Sequence, residues 1–166
     1  LALRARGVRT VIVTDVMDAR LAKAKELGAT AVLNDTREDP AAAVKRLTGG
    51  MGADIVIETA GAPATGRQAV EMAKKGGVVV FVAYTKSGDV TLPMSLALDK
   101  ELTFKTVFRY RHIYPMAIEA VASGAVNLKG LVTNLFDFDD LQEALDRSID
   151  EKAAIVKSAV RIGGAE

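Results

Sequence analysis

VIVTDVMDARLAKAKELGA, residues 11–29, is the stretch whose reading decides the fold. Val11–Thr14 is a short apolar run that predicts a strand, and Asp15 ends it. Asp18 reads as a helix N-cap. Leu21, Ala24 and Leu27 then recur at helical spacing until Gly28 stops the helix. The stretch is thus strand, acidic residue, helix.

Working outward, Ala2–Arg6 reads as the last turns of a helix closed by Gly7. Downstream, Ala31–Leu33 reads as a strand. Asp39 caps a helix that Pro40 opens and that runs to about Leu47. Asp54–Ile57 is a strand, and Thr65–Lys74 a helix closed by Gly76-Gly77. Val78–Val82 is a strongly apolar strand, Leu96–Leu98 a short helical piece, and Leu102–Val107 another strand. Strands alternating with helices predict an α/β fold with a parallel sheet covered on its faces. The character changes after Arg109. There His112–Ser123 is a helix closed by Gly124, Leu131–Phe136 a strand, Asp139–Ile149 an amphipathic helix and Ala154–Val160 a last strand. The helix 139–149 sets Leu141, Ala144, Leu145 and Ser148 on one side.

The 166 residues suffice for one sizeable core. Net charge is +1, with acids and bases interspersed, so nothing points to nucleic acid or a membrane surface. There is no Cys and one His, which excludes a disulfide framework and a thiolate metal site and leaves a histidine site without partners. No signal peptide or membrane span is visible, so a cytoplasmic protein is the expectation.

In a doubly wound sheet that binds a dinucleotide, an acidic residue ending the second strand accepts from the adenosine ribose hydroxyls. Asp15 has that position. Its carboxylate would also repel a 2′-phosphate, favouring NAD over NADP. Arg20 could lay its guanidinium against the adenine. The bland alternatives are a turn for Asp15, weakened if Asp18 already caps the helix, and an exposed helix residue for Arg20. The phosphate-binding G-x-G-x-x-G should stand roughly 20 residues before Asp15, but only LALRARGVRT precedes residue 11. Gly49-Gly50-Met51-Gly52 follows a helix and precedes a strand, the wrong order for that loop, so it reads as a turn.

Ligands of open α/β sheets bind beyond the carboxyl ends of strands. Glu58-Thr59-Ala60-Gly61 and Val82-Ala83-Tyr84 both stand there, and Ala83 is small enough for a nicotinamide to pass. Phe108-Arg109-Tyr110-Arg111-His112 gathers two aromatics, two further cations and the single His into five residues, which suggests a cleft. Each segment has a plain reading beside this one: a strand-to-helix loop, a surface aromatic and a solvated basic connection.

VIVTDVMDARLAKAKELGA, GADIVIETAG, GGVVVFVA and VFRYRHIYPMAIEAVASG, in this order, resemble the medium-chain, zinc-dependent alcohol dehydrogenases, above all the polyol branch of sorbitol and xylitol dehydrogenases. The stretch 131–162 resembles the segment with which that family returns to its catalytic domain. The resemblance covers essentially the whole chain and implies an NAD-binding Rossmann domain over residues 1–109, lacking its first strand and glycine fingerprint. Residues 110–166 would be the C-terminal segment of the catalytic domain. It implies a longer enzyme whose zinc ligands lie elsewhere, with this chain inactive by itself. It implies that Asp15 and Arg20 hold the adenosine end and that Thr59, Ala60 and Gly61 line the cofactor. Val82, Ala83, Tyr84, Val107, Phe108 and Arg109 would flank the nicotinamide, and Arg109 and Tyr110 would face the substrate, a polyol or other secondary alcohol. Ala83 departs from the family's usual Gly, and Tyr84 from its usual aliphatic residue. The family pairs into homo-oligomers through the Rossmann domain, and strand Leu102–Val107 is a candidate edge for it.

A doubly wound order puts the first strand at the centre. Without it, two neighbours keep unpaired backbone groups, and the isolated chain is expected to be unstable or aggregated unless a partner fills the gap. Within the superfamily, a zinc-independent NADPH quinone reductase is a neighbouring reading, which Asp15 disfavours. Two other classes compete. One is a non-enzymatic Rossmann remnant or interaction module. The other is another Rossmann-type binder such as a methyltransferase, which the VFRY junction and the C-terminal segment do not suit.

Overall fold

A computed structural model describes residues 1–85, 88–151 and 153–163. The chain divides into two compact units, residues 1–36 with 113–166, and residues 37–112.

The first unit begins with α1 (Ala2–Ala5), β1 (Ile12–Asp15), α2 (Asp18–Glu26) and β2 (Ala31–Asn34). The two strands pair in parallel, Ile12 opposite Ala31 and Asp15 opposite Asn34. α2 buries Leu21 and ends against Gly28, whose φ of 101° only glycine adopts without strain. One expectation fails here. Asp18 is the first helical residue rather than the cap, and Met17 holds the cap position without a side-chain bond. The reason is Asp15: its Oδ1 accepts from the Met17 N–H at 2.9 Å. The helix therefore begins one residue earlier than the sequence suggests, directly after the turn that Asp15 and Met17 close.

Residues 37–112 build α3 (Pro40–Leu47), β3 (Ala53–Glu58), α4 (Pro63–Met72), β4 (Ala73–Phe81), α5 (Met94–Asp99) and β5 (Thr103–Thr106). The start of α3 follows the local signals: Asp39 Oδ1 accepts from the Ala41 N–H at 2.9 Å, with Pro40 at the first helical position. β3, β4 and β5 form a parallel triplet in that order. Ala69, Ala73 and Val79 are its buried centre, packed round by Val56, Phe81, Leu102 and Phe104. Gly76-Gly77 does not close α4, as the sequence suggests. The helix ends at Met72, and the glycines lie inside β4, where the pairing shifts between Ala53–Ala73 and Ile55–Val78. A lysine closes the helix instead. Lys100 Nζ donates to the carbonyls of Val70, Glu71 and Ala73 at 2.8, 2.9 and 2.7 Å.

The first unit resumes with α6 (Tyr114–Ala122), β6 (Asn134–Asp137), a 3-10 turn at Phe138–Asp140, α7 (Leu141–Asp150) and β7 (Ser158–Arg161). The helix foreseen from His112 starts at Tyr114, because His112 takes a left-handed φ of 53°. β6 and β7 pair in parallel through α7, which buries Ala144, while Leu141 and Leu145 stay exposed.

All strand pairs among the described residues are parallel, as the alternation of strands and helices predicts. Among the described residues they fall into three ladders, β1-β2, β3-β4-β5 and β6-β7. Within these ladders β1 and β3 each pair on one side only. The two outer residues on one face of β3, Ile55 and Ile57, remain 55% and 41% exposed. No helix among the described residues is long and apolar enough to cross a membrane.

Candidate functional site

The register of the triplet builds the site. Glu58 pairs with Phe81, and Phe81 with Thr106, so β3, β4 and β5 end level with one another. Whatever follows each strand therefore emerges on one edge. Those followers are Thr59-Ala60-Gly61, Val82-Ala83-Tyr84 and Val107-Phe108-Arg109-Tyr110, three of the segments singled out in the sequence.

Contacts knit them together. Gly61 stands at φ 65°, and a Cβ there would lie 2.3 Å from the Tyr84 carbonyl oxygen and 3.2 Å from the Ala83 Cβ. The Tyr84 and Phe108 rings meet edge to face with centroids 6.0 Å apart. The Arg109 guanidinium lies 5.0 Å above the Phe108 ring. Val82, Tyr84, Val107, Phe108, Arg109 and Tyr110 line a cleft of about 500 Å³, within the roughly 300–1,000 Å³ of small-ligand pockets. Arg109 itself has φ 54°. A left-handed non-glycine backbone costs about 1–3 kcal/mol and concentrates at functional positions.

The sequence alone assigns Glu58 no role of its own. It is the buried charged residue among those described, 6% exposed. Its Oε1 accepts from the Ala60 N–H at 2.9 Å, the Gly61 N–H at 2.8 Å and the Thr65 hydroxyl at 2.7 Å. The available signal was an acid at an inward position of the apolar strand ADIVIE.

Asp15 and Arg20 lie in the other unit. Asp15 ends β1, with Oδ1 engaged by Met17 and Oδ2 3.8 Å from the Arg20 guanidinium. The expectation that a cap at Asp18 leaves Asp15 clear of turn duty is therefore corrected: Asp15 serves the turn and faces Arg20 as well. Asn34, which sequence reasoning passed over, ends β2 beside it and donates to Asp18 Oδ1 at 2.7 Å. Among the described residues, no three His, Cys, Asp or Glu side chains gather to hold a metal ion, so no zinc site is assigned to this stretch.

Residues 1–123 match the model of the zinc-binding dehydrogenase domain. The chain belongs to the zinc-binding dehydrogenase family. It is 40% identical over 161 residues to the uncharacterized zinc-type alcohol dehydrogenase-like protein YdjJ of Escherichia coli, a match covering 97% of this chain and 46% of that protein. It is 35% identical to the sorbitol dehydrogenase of Bacillus subtilis, covering 96% of this chain and 45% of the relative. The crystal structure of 2R,3R-butanediol dehydrogenase from Bacillus subtilis superposes with a TM-score of 0.87 at 29% identity, over 98% of this chain and 46% of that one. This zinc-binding dehydrogenase chain thus spans about half the length of the relatives it matches, and it aligns with their C-terminal part. The Rossmann-type α/β architecture is common to them.

Proposed function

We propose that the chain is the cofactor-holding part of an NAD-dependent, zinc-containing dehydrogenase that oxidises a secondary alcohol of a sugar alcohol to a ketose. The observation that carries this reading is the level ending of β3, β4 and β5, which brings a tight turn and a small residue to the same edge as the cleft that the Phe108–Arg109 pair lines. Parallel sheets bind ligands at this edge. The residues suit a nicotinamide dinucleotide. Gly61 leaves room where a Cβ would strike backbone, Ala83 is small, and Asp15 presents a carboxylate at the end of its strand.

In this reading Thr59, Ala60 and Gly61 line the dinucleotide, and Val82, Ala83, Tyr84, Val107 and Phe108 flank its nicotinamide. Asp15 and Arg20 receive the adenosine. Arg109 and Tyr110 orient the alcohol by hydrogen bonding, Arg109 held in aim by the Phe108 ring beneath it. When bound, NAD supplies the hydride acceptor. The zinc implied by the family takes its ligands from outside the described residues, in a longer protein of which residues 1–109 are NAD-binding and 110–166 belong to the catalytic domain. β5 is one of the two edge strands of the triplet among the described residues, β3 being the other, and is the strand through which two copies would pair.

The protein as its host makes it is assayed with sugar alcohols and each nicotinamide cofactor, following absorbance of the reduced form. Polyol-dependent reduction of NAD, with NADP poorer, is expected. No reduction with any secondary alcohol, or a preference for NADP, would sink the reading.

A further inference from the structure

We propose that Glu58 is a positioning residue for the dinucleotide: its buried carboxyl oxygen sets the Thr59–Gly61 turn in the shape that meets the cofactor. This rests on the reading that the turn lines a dinucleotide.

The argument starts from where Glu58 sits. It lies on the same face of β3 as Val56, which packs against the apolar centre of the triplet. A valine or leucine would fill that position without the desolvation cost that a buried acid carries. The acid is retained with three hydrogen bonds, and all three go to one short stretch, the amides of Ala60 and Gly61 and the hydroxyl of Thr65 in the first turn of α4. Thr65 Oγ1 also lies 2.7 Å from the Ala62 carbonyl oxygen, so the hydroxyl joins the turn to the helix start. Glu58 is buried while Thr59 and Ala60 are exposed, so the turn is gripped on its inner side and its outer side is left to solvent or ligand.

The same bonds set the turn's chemistry. Two successive amides that could have formed an anion-binding concavity are already spent on Glu58. The turn is therefore no phosphate cradle. It serves a neutral part of the dinucleotide that wants close backbone approach. Gly61, wedged against the Tyr84 carbonyl, carries the alignment across to β4. Glu58 thus acts on the cofactor through the turn, without touching it.

The test uses the protein as its host makes it, wild type and the variants E58Q, E58A, T65V and E58A/T65V. NADH binding is followed by fluorescence, with KM for NAD, KM for the alcohol, kcat and thermal midpoint measured alongside. E58A is expected to weaken NADH binding by about 10–100-fold and E58Q, which keeps an acceptor without its charge, by about 3–10-fold. The KM for NAD rises in step, while the KM for the alcohol moves by less than about 2-fold. T65V weakens NADH binding less than E58A does, and adds nothing in the E58A background, because both losses empty the same bond. If E58A does not fold, E58Q and T65V decide. NADH binding unchanged in E58Q and T65V, or an equal loss for NAD and alcohol, overturns the proposal while the dinucleotide reading stands. Wild-type protein that binds no NADH removes that reading and the proposal with it.

Discussion

Gly61 and Tyr84 approach so closely that a methyl group on residue 61 would come within 2.3 Å of the Tyr84 carbonyl oxygen. The contact is backbone against backbone, and neither strand end can swing aside cheaply. Gly61→Ala adds a Cβ at a left-handed φ of 65°. A loss of about 1–3 kcal/mol in stability is expected, together with weaker NADH binding, as measured by chemical unfolding and fluorescence titration. An alanine variant as stable and as tight-binding as wild type would refute the contact.

Asp15 has two duties, one oxygen on the Met17 amide and the other toward Arg20. Asp15→Asn keeps an acceptor for the amide and discards the charge. The thermal midpoint should hardly move. The dissociation constant for NAD should rise by about 10-fold as a charge-assisted bond is lost, and discrimination against NADP should shrink because the charge that repels a 2′-phosphate is gone. Equal losses for both cofactors would count against Asp15 as the selector.

Arg109 combines a left-handed φ of 54° with a guanidinium over Phe108. Arg109→Gly removes both the strain and the cation. Stability should hold or rise by about 1 kcal/mol, whereas kcat/KM for the alcohol should fall at least about 10-fold. Arg109→Lys retains strain and charge but loses the planar fork, and should also lose activity. A glycine variant with intact turnover would show that the cation is not needed.

Lys100 gives three donors to carbonyls at the end of α4. Burial pushes its ammonium below the ordinary lysine pKa, and Lys45 adds to that while Glu71 opposes it. Lys100→Met keeps the stem and strands the carbonyls, so unfolding measurements should show a loss of about 1–3 kcal/mol. An unchanged midpoint would mean that water replaces the amine without loss.

Asp54 accepts from Lys74, and this hydrogen bond, with the lysine's charge, holds the Asp54 carboxyl below its usual pKa. A carboxyl depressed in the folded state contributes stability above its unfolded pKa of roughly 3.9 and loses it as pH falls through the folded value. Carboxyl NMR titration should place Asp54 below a free aspartate, and Lys74→Met should return it to the usual range. Because Asp54 is exposed, added salt should reduce the shift.

Local signals were legible and distant ones were not. Asp39-Pro40 announced α3 because the cap and the ring act within two residues. The common edge of the triplet is legible for a comparable reason: strands parallel to one another end on one side, so the segments after them emerge together. The helix start is misplaced because two acids stand near it, and whether Asp18 caps the helix or opens it depends on backbone angles that the sequence does not display. Gly76-Gly77 was misread because a glycine pair serves a shifted ladder as readily as a helix end. Lys100 was invisible, since its partners lie about 30 residues away in the chain. Glu58 shows itself in the sequence only by its inward position in an apolar strand.

The one-sided pairing of β1 and β3 sets a rule of connectivity. Each presents a row of amides and carbonyls along its free side. A strand that completed either row in the parallel sense could not be brought in by a tight hairpin, since a hairpin reverses direction. It would need a crossover of about a dozen residues or more. In a parallel architecture such as this, an added strand and the helix that carries it arrive as one unit of exchange, so grafting or swapping at these edges has to move both.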